Sequence, residues 1–270
     1  MLSKEIDWPQ TQQTFSSVQT NGDTSEVIDL LWTGGWDSTF RLLQILLHEK
    51  KIVQPYYVVD STRNSLGVEI YFRNVLKEAI FARYPQTKNF LLPTIYINID
   101  SIEPDDEIQQ AYQDLKKYVP LGNQHEWLPR FCKQHQIYGM EMSTENGSTP
   151  EELWVNSRFL KNHFSDDPQT LCERDFFLYQ TSKKLYKYFR FPVIHFSKQD
   201  MLDEAQKNDW LPILTKTWFC YQPLYIPVKG YVACGNCVTC KYLKRIDFDW
   251  RIPFYSKWIQ DLRKFIKKVS

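Results

Sequence analysis

The chain has 270 residues, of which 43% are hydrophobic and 16% aromatic, and a formal net charge of +1. That is enough apolar material for one large domain, or one with a small appendage, built around a ring-rich core. The near-neutral charge excludes a global basic field of the kind that draws in nucleic acid or an acidic membrane surface. No apolar run approaches the ~20 residues that a bilayer span needs; the longest, residues 42–47, is broken by Gln44. No basic segment followed by an apolar one opens the chain, so a cytoplasmic location is expected. In that compartment six cysteines read as metal ligands or buried thiols rather than disulfides.

Residues 1–25 are polar and read as a tail. Val27-Ile28-Asp29-Leu30-Leu31-Trp32 is an apolar run that stops at Gly34-Gly35, as a buried parallel strand would. Leu42, Leu43, Leu46 and Leu47 then follow at helical spacing. Residues 52–59 predict a second strand, 68–83 a helix and 94–99 a third strand. Further on, 126–136 predict a helix, 138–142 a weak strand, 174–189 a helix and 191–196 a short strand. Residues 197–207 predict a helix with Ser197 as its N-cap and Asp200 at the third helical position. This succession argues for an α/β fold with a parallel sheet flanked by helices, spanning 26–215. The order of the strands is not readable. A Cys-, Gly- and Pro-containing segment, 216–245, follows. Within the last stretch, 246–270, Trp258, Ile259, Leu262, Ile266 and Val269 mark an amphipathic helix over 255–269.

Thr33-Gly34-Gly35-Trp36-Asp37-Ser38-Thr39 joins the first strand to its helix. Two glycines let the backbone turn tightly, and the amides of residues 35–38 with the hydroxyls of Thr33, Ser38 and Thr39 can surround an anion at the helix N-terminus. Neither the Gly-Lys-Ser/Thr of a Walker loop nor G-x-G-x-x-G is present. A tight turn capped by Asp37 or Ser38, without a ligand, is the plainer alternative. Near the C-terminus Cys220, Cys234, Cys237 and Cys240 supply four sulfurs, the last three as C-x-x-C-x-x-C. That spacing fits one closed tetrahedral zinc site with a structural role. An iron–sulfur cluster is the rival occupant. Cys132 and Cys172 lack such partners and read as buried thiols. No general base can be assigned among His48, His125, His135, His163 and His195.

The glycine loop resembles the S-G-G-x-D-S signature of the PP-loop ATP pyrophosphatases, with Thr33 in place of the first serine. The resemblance implies a Rossmann-like fold of the adenine nucleotide alpha-hydrolase (HUP) type. It also implies an ATP site on Trp32, Thr33, Gly34, Gly35, Trp36, Asp37, Ser38 and Thr39, and cleavage of ATP to AMP and pyrophosphate with Mg²⁺. Asp37 either touches that metal or braces the loop. Lys198 matches a lysine that the family places at the start of a late helix as a second pyrophosphate contact; otherwise it is a solvated first-turn lysine.

Two further runs, Thr217-Trp218-Phe219-Cys220-Tyr221 and Cys234-Gly235-Asn236-Cys237-Val238-Thr239-Cys240, are similar to the zinc-binding C-terminus of 7-cyano-7-deazaguanine synthase. The likeness covers residues 27–245 in patches. It implies adenylation of a 7-deazaguanine acid and attack by ammonia or another amine, giving an amide or nitrile. Relatives of that synthase also stand among bacterial antiviral defence genes, so queuosine-type biosynthesis and defence both remain open. The acceptor half departs from the family at Asp60-Ser61-Thr62-Arg63-Asn64, at Val119-Pro120-Leu121-Gly122-Asn123 and at Ser143-Thr144-Glu145-Asn146-Gly147. No glutaminase module fits beside the main domain, so the donor is expected to be free ammonia or an amine on another molecule. A homodimer through the last helix, and a protein or nucleic-acid acceptor, are the partners considered. Two alternative functions are a PP-loop tRNA-modifying sulfur-transfer enzyme and a non-enzymatic zinc module that binds RNA or protein.

Overall fold

In the computed structural model, residues 26–146 and 173–259 apart from 257 are described; of residues 173–175 only the backbone is. The expected tail, His163, Cys172 and most of the expected terminal helix lie outside these residues. The main sheet has five parallel strands in the order β3-β2-β1-β4-β5. They are β1 (Val27–Leu31), β2 (Ile52–Val59), β3 (Ile95–Asn98), β4 (Met140–Glu141) and β5 (Phe189–Arg190). β1 pairs with β2 from Val27 opposite Ile52 to Leu31 opposite Tyr56, and on its other side Leu30 faces Glu141 of β4. Chain order therefore reverses between β1 and β4. In open α/β sheets such a reversal leaves a crevice beyond the carboxyl ends of the strands.

Alternation along β1 sets up a core on each face of the sheet. Ile28, Leu30 and Trp32 pack on one side with α1 (Trp36–Leu43), α2 (Leu66–Arg83), α6 (Lys198–Lys207) and α7 (Leu211–Leu214), through Phe40, Leu76, Met201 and Ile213. Leu31 packs on the other with α3 (Asp106–Lys116), α4 (Gln124–Gln134) and α5 (Glu173–Tyr186), through Leu115, Phe131, Leu178 and Leu185. Ser197 caps α6 in a full capping box with Asp200, as the sequence predicts. Helix α1 widens into a π-helical turn over Gln44–Glu49, which ends at Lys50 in the left-handed region.

A third, smaller core surrounds the cysteines. It carries the antiparallel pair β6 (Leu224–Ile226) and β7 (Gly230–Val232) and the helix α8 (Val238–Arg245). One expectation changes. The apolar run 191–196 is not a strand: β5 ends at Arg190, and bonds from Ile194 N to Phe191 O (3.2 Å) and from Phe196 N to Val193 O (3.0 Å) fold the run into turns. Val193 and Ile194 are apolar because the turn is buried, and Pro192 has no amide to give a ladder. Residues 246–255 carry only a 3₁₀ turn at Asp249–Arg251, and helical backbone resumes at Ser256. This stretch packs on the cysteine segment: Ser256 Oγ donates to Ala233 O at 2.7 Å.

A buried ion pair ties α1 to the end of β4. Arg41 Nε and Nη2 donate to the two Glu141 oxygens at 2.7 and 2.9 Å, and Nη1 bonds Glu49. The Arg41 and Glu141 side chains are only 9% and 6% exposed. Removing one partner strands a charge in the interior. Arg41→Met is expected to destabilise the fold by about 3–5 kcal/mol in urea unfolding. Arg41→Met with Glu141→Leu should cost clearly less than Arg41→Met alone; a double variant no better than the single one would remove the pair's significance.

Candidate functional site

The loop after β1 is shaped by one left-handed glycine. Gly34 has φ +77°, and a Cβ there would lie 2.4 Å from Arg73 Cγ. Only glycine combines that conformation with so close an approach. The Gly34 carbonyl accepts from Trp218 N at 3.1 Å. Gly35 is the N-cap of α1 and has no side-chain capping bond, so the first-turn amides of the helix keep their donors. Thr33 and Ser38 face each other across the loop with their hydroxyls 3.0 Å apart, and Gly35 N donates to Thr33 Oγ1 at 3.3 Å.

These residues line a cleft of about 610 Å³, within the range of small-molecule sites. Of the nine residues proposed from sequence, Thr33, Gly35, Trp36, Asp37, Ser38 and Lys198 stand on its wall. The other three stand behind it. Thr39 is fully buried and its hydroxyl accepts from Trp32 Nε1 at 3.1 Å, so it braces the loop rather than facing an anion. Gly34 is the hinge against Arg73. The Arg73 guanidinium lies 4.6 Å from the centres of both the Trp32 and Tyr57 rings.

Lys198, the first residue of α6, brings its ammonium to Asp37 and, at 3.0 Å, to Glu145 Oε1. It is therefore not a solvated lysine. Burial pulls its pKa down, but the two carboxylates outweigh that and hold it above the ordinary lysine value. Burial also pushes the Glu145 carboxyl up, against the nearby ammonium. Tyr242 OH donates to Glu145 Oε1 at 2.5 Å. Across the cleft, Glu69 accepts from Arg63 Nη2 (2.5 Å), Ser65 Oγ (2.7 Å) and Tyr57 OH (2.7 Å). Thus the loops after β1, β2 and β4 and the start of α6 converge at the reversal point of the sheet. Glu69, Tyr242 and Arg251 escaped the sequence reading, and Glu145 entered it only as part of a segment that departs from the family. The only sequence signal of the escaped residues was proximity to segments already singled out, as with Tyr242 two residues after Cys240. No histidine of the described residues lines the cleft. His125 bonds Tyr186 OH at 3.2 Å, and burial lowers its pKa to about 4.

The ligating sulfurs of Cys220, Cys234, Cys237 and Cys240 all lie within 4.8 Å of one another, and the four residues are at most 7% exposed. The sulfur contacts of Cys237 with Cys240 and Cys220 are 3.4 and 3.8 Å, and that of Cys234 with Cys240 is 3.9 Å. A tetrahedron with metal–sulfur bonds of ~2.3 Å spaces its sulfurs by about 3.8 Å. Backbone amides of Gly235, Asn236 and Cys237 point at these sulfurs at 3.2–3.3 Å, which suits thiolates. The donor set fits zinc or another tetrathiolate metal. Gly235, at φ +76°, turns the chain between the first two sulfurs of the motif, its missing Cβ facing Ser256 and Ile252. Cys132 is a buried thiol beside Met140, as expected.

The site is wired to the loop. Thr239 Oγ1 is 3.2 Å from Cys237 Sγ and donates to Phe219 O at 2.7 Å. Trp218 Nε1 donates to Cys220 O at 2.8 Å, while its backbone amide holds Gly34. Among the described residues no helix is long and apolar enough to cross a membrane. No protein-family model matches this chain, and no curated protein matches it in sequence.

Two outcomes follow. The purified protein should hold one metal ion per chain, and its four site thiols should react with a thiol reagent only after a strong chelator has removed it. Full reaction in untreated protein would mean that the sulfurs hold nothing. Gly34→Ala should lose about 1–3 kcal/mol in thermal unfolding from backbone strain and its clash with Arg73. Gly122→Ala, where a Cβ meets nothing within 4 Å, serves as the near-neutral comparison.

Proposed function

We propose that the chain is a PP-loop ATP pyrophosphatase of the HUP type, similar to 7-cyano-7-deazaguanine synthase. It joins an acid to ammonia or another amine through an acyl adenylate. One observation carries the reading: the uncapped first turn of α1 behind a left-handed glycine, opening onto a cleft at the reversal point of a parallel sheet. Free amides and the helix dipole there favour a diphosphate. The chemistry follows from what such a cradle holds best. A carboxylate oxygen attacks the α-phosphorus of ATP, the bond to the β-phosphate breaks, and diphosphate leaves with the electron pair into the preorganised donors. The amine nitrogen then attacks the acyl carbon, loses a proton, and AMP departs with the former carboxylate oxygen. For a nitrile, a second ATP activates the amide oxygen in the same way.

Asp37 and Glu145 converge on one cation position, now taken by the Lys198 ammonium. Their hard oxygens suit magnesium, whose part when bound is to neutralise charge on the leaving diphosphate. On the acceptor side, Arg63, Ser65 and Glu69 offer polar groups beside the rings of Tyr221 and Phe219. A flat heterocyclic acid such as a 7-deazaguanine acid suits this combination of ring faces and polar edges. The four buried cysteines favour a structural metal over a persulfide nucleophile, which needs an accessible thiolate. Sulfur transfer is therefore the weaker reading.

Incubation with labelled ATP, Mg²⁺, ammonium and 7-carboxy-7-deazaguanine should yield AMP and diphosphate in equal amounts, dependent on the acid. A mass decrease in the acid should mark the amide or nitrile. ADP with phosphate as products, or AMP formation indifferent to any acid, would defeat the reading.

A further inference from the structure

Three cationic side chains line the cleft, and they differ in how much of their charge is already neutralised. Arg63 is bonded to Glu69. Lys198 is held by two carboxylates, Asp37 and Glu145. Arg251 is in no ion pair with any described residue, and its one set of hydrogen bonds runs from a single nitrogen: Nη2 donates to Thr217 O and Thr217 Oγ1, both at 2.6 Å. The guanidinium is flanked by two rings, its central carbon 5.1 Å from the centre of Trp36 and 4.7 Å from that of Phe219. Stacking of this kind fixes the plane of a guanidinium and leaves its edge for an anion. Trp36 is the first residue of α1, whose first turn has no side-chain cap, and that turn and Arg251 line the same cleft. Burial acts against the charged form and lowers the pKa to about 10, while the field of Asp37 favours the protonated form. The group stays cationic at neutral pH while incompletely compensated, a state that an arriving anion relieves.

We infer that Arg251 is the principal anion anchor of the cleft, its open guanidinium edge taking an oxygen of the nucleotide's diphosphate portion beside the first turn of α1. The inference rests on the cleft being a nucleotide phosphate site. It gives the stretch after α8 a binding role, supplied from a short turn at Asp249–Arg251 that is itself braced on the cysteine segment through Ser256.

The test is calorimetric titration of inorganic pyrophosphate and of ATP into the metal-loaded protein, with melting curves for each variant. R251Q should bind pyrophosphate about tenfold or more weakly, the scale of a lost charge-assisted contact. Its affinity should also respond less steeply to added salt. R251K, which keeps the charge but not the fork, should fall between wild type and R251Q. R83Q, which removes one positive charge outside the cleft lining, should bind as wild type. Because Arg251 also holds Thr217, a second measurement is made on the intact wild-type chain. Its Arg251 Nε–H resonance, identified by its absence in R251K, should shift on saturation with pyrophosphate. If wild type binds neither pyrophosphate nor ATP, the phosphate-site reading fails and this inference with it. If wild type binds and R251Q binds equally well, or the resonance stays put at saturation, the cleft reading stands and the role of Arg251 is overturned.

Discussion

The bond from the Trp218 amide to the Gly34 carbonyl is the interaction on which the rest of the site depends. Its acceptor is a carbonyl in a backbone conformation that only glycine adopts without strain at this packing distance. Its donor belongs to the chain that enters the cysteine cluster two residues later at Cys220. The loop therefore takes its shape from both sides. Arg73 fills the space below Gly34, and the Cys220 segment fixes the carbonyl from above. A loop held only by its own hydroxyl bonds, such as Thr33 with Ser38, would be free to fold inward on them. The external bond resists that and leaves the first-turn amides of α1 facing the cleft.

Charge in the cleft follows a related logic. Asp37 stands in the loop itself, where a lone carboxylate would repel a polyphosphate. Lys198 answers it, but the answer is shared with Glu145, and one ammonium beside two carboxyl groups leaves no net positive charge. Burial raises the Glu145 pKa and so favours its neutral form, and Tyr242 donates to the oxygen nearest Lys198. A site with this composition needs a further positive charge before an anion is welcome, and divalent metal and Arg251 are the two sources the residues allow. Across the cleft Glu69 is saturated by Tyr57, Ser65 and Arg63, which pins Arg63 in place rather than leaving it as a free anion receptor.

What could be read from the sequence was whatever depends on neighbours in the chain. The first two strands, the glycine loop, the Ser197–Asp200 capping box and the cysteine spacing are all local patterns, and each stands close to where the spacing put it. Thr39 was misassigned because a hydroxyl at the start of a helix looks the same whether it faces a ligand or Trp32. Residues 191–196 were misassigned because burial makes a turn as apolar as a strand. Glu145 and Arg251 could not be found this way. Each matters through partners far away in the chain, Tyr242 and Lys198 for the first, Trp36 for the second. The strands β6 and β7, three residues each, are too short for alternation to show.

The position of the cysteine site gains a reason from these contacts. The segment from Thr217 to Ser256 contains two short strands, one helix of two turns and a small core, too little apolar surface to order itself firmly. A metal held by the four cysteines would supply the missing cross-links at the point where the segment touches the glycine loop. If order in that segment mattered only for stability, the site could stand anywhere along it. Instead the first ligand, Cys220, follows within three residues of Thr217, Trp218 and Phe219, and these respectively hold Arg251, hold Gly34 and flank the guanidinium. A shift of these three residues would move the loop and the Arg251 guanidinium together. The four-cysteine cluster is thus best understood as setting the geometry of the cleft rather than as an appendage to the fold.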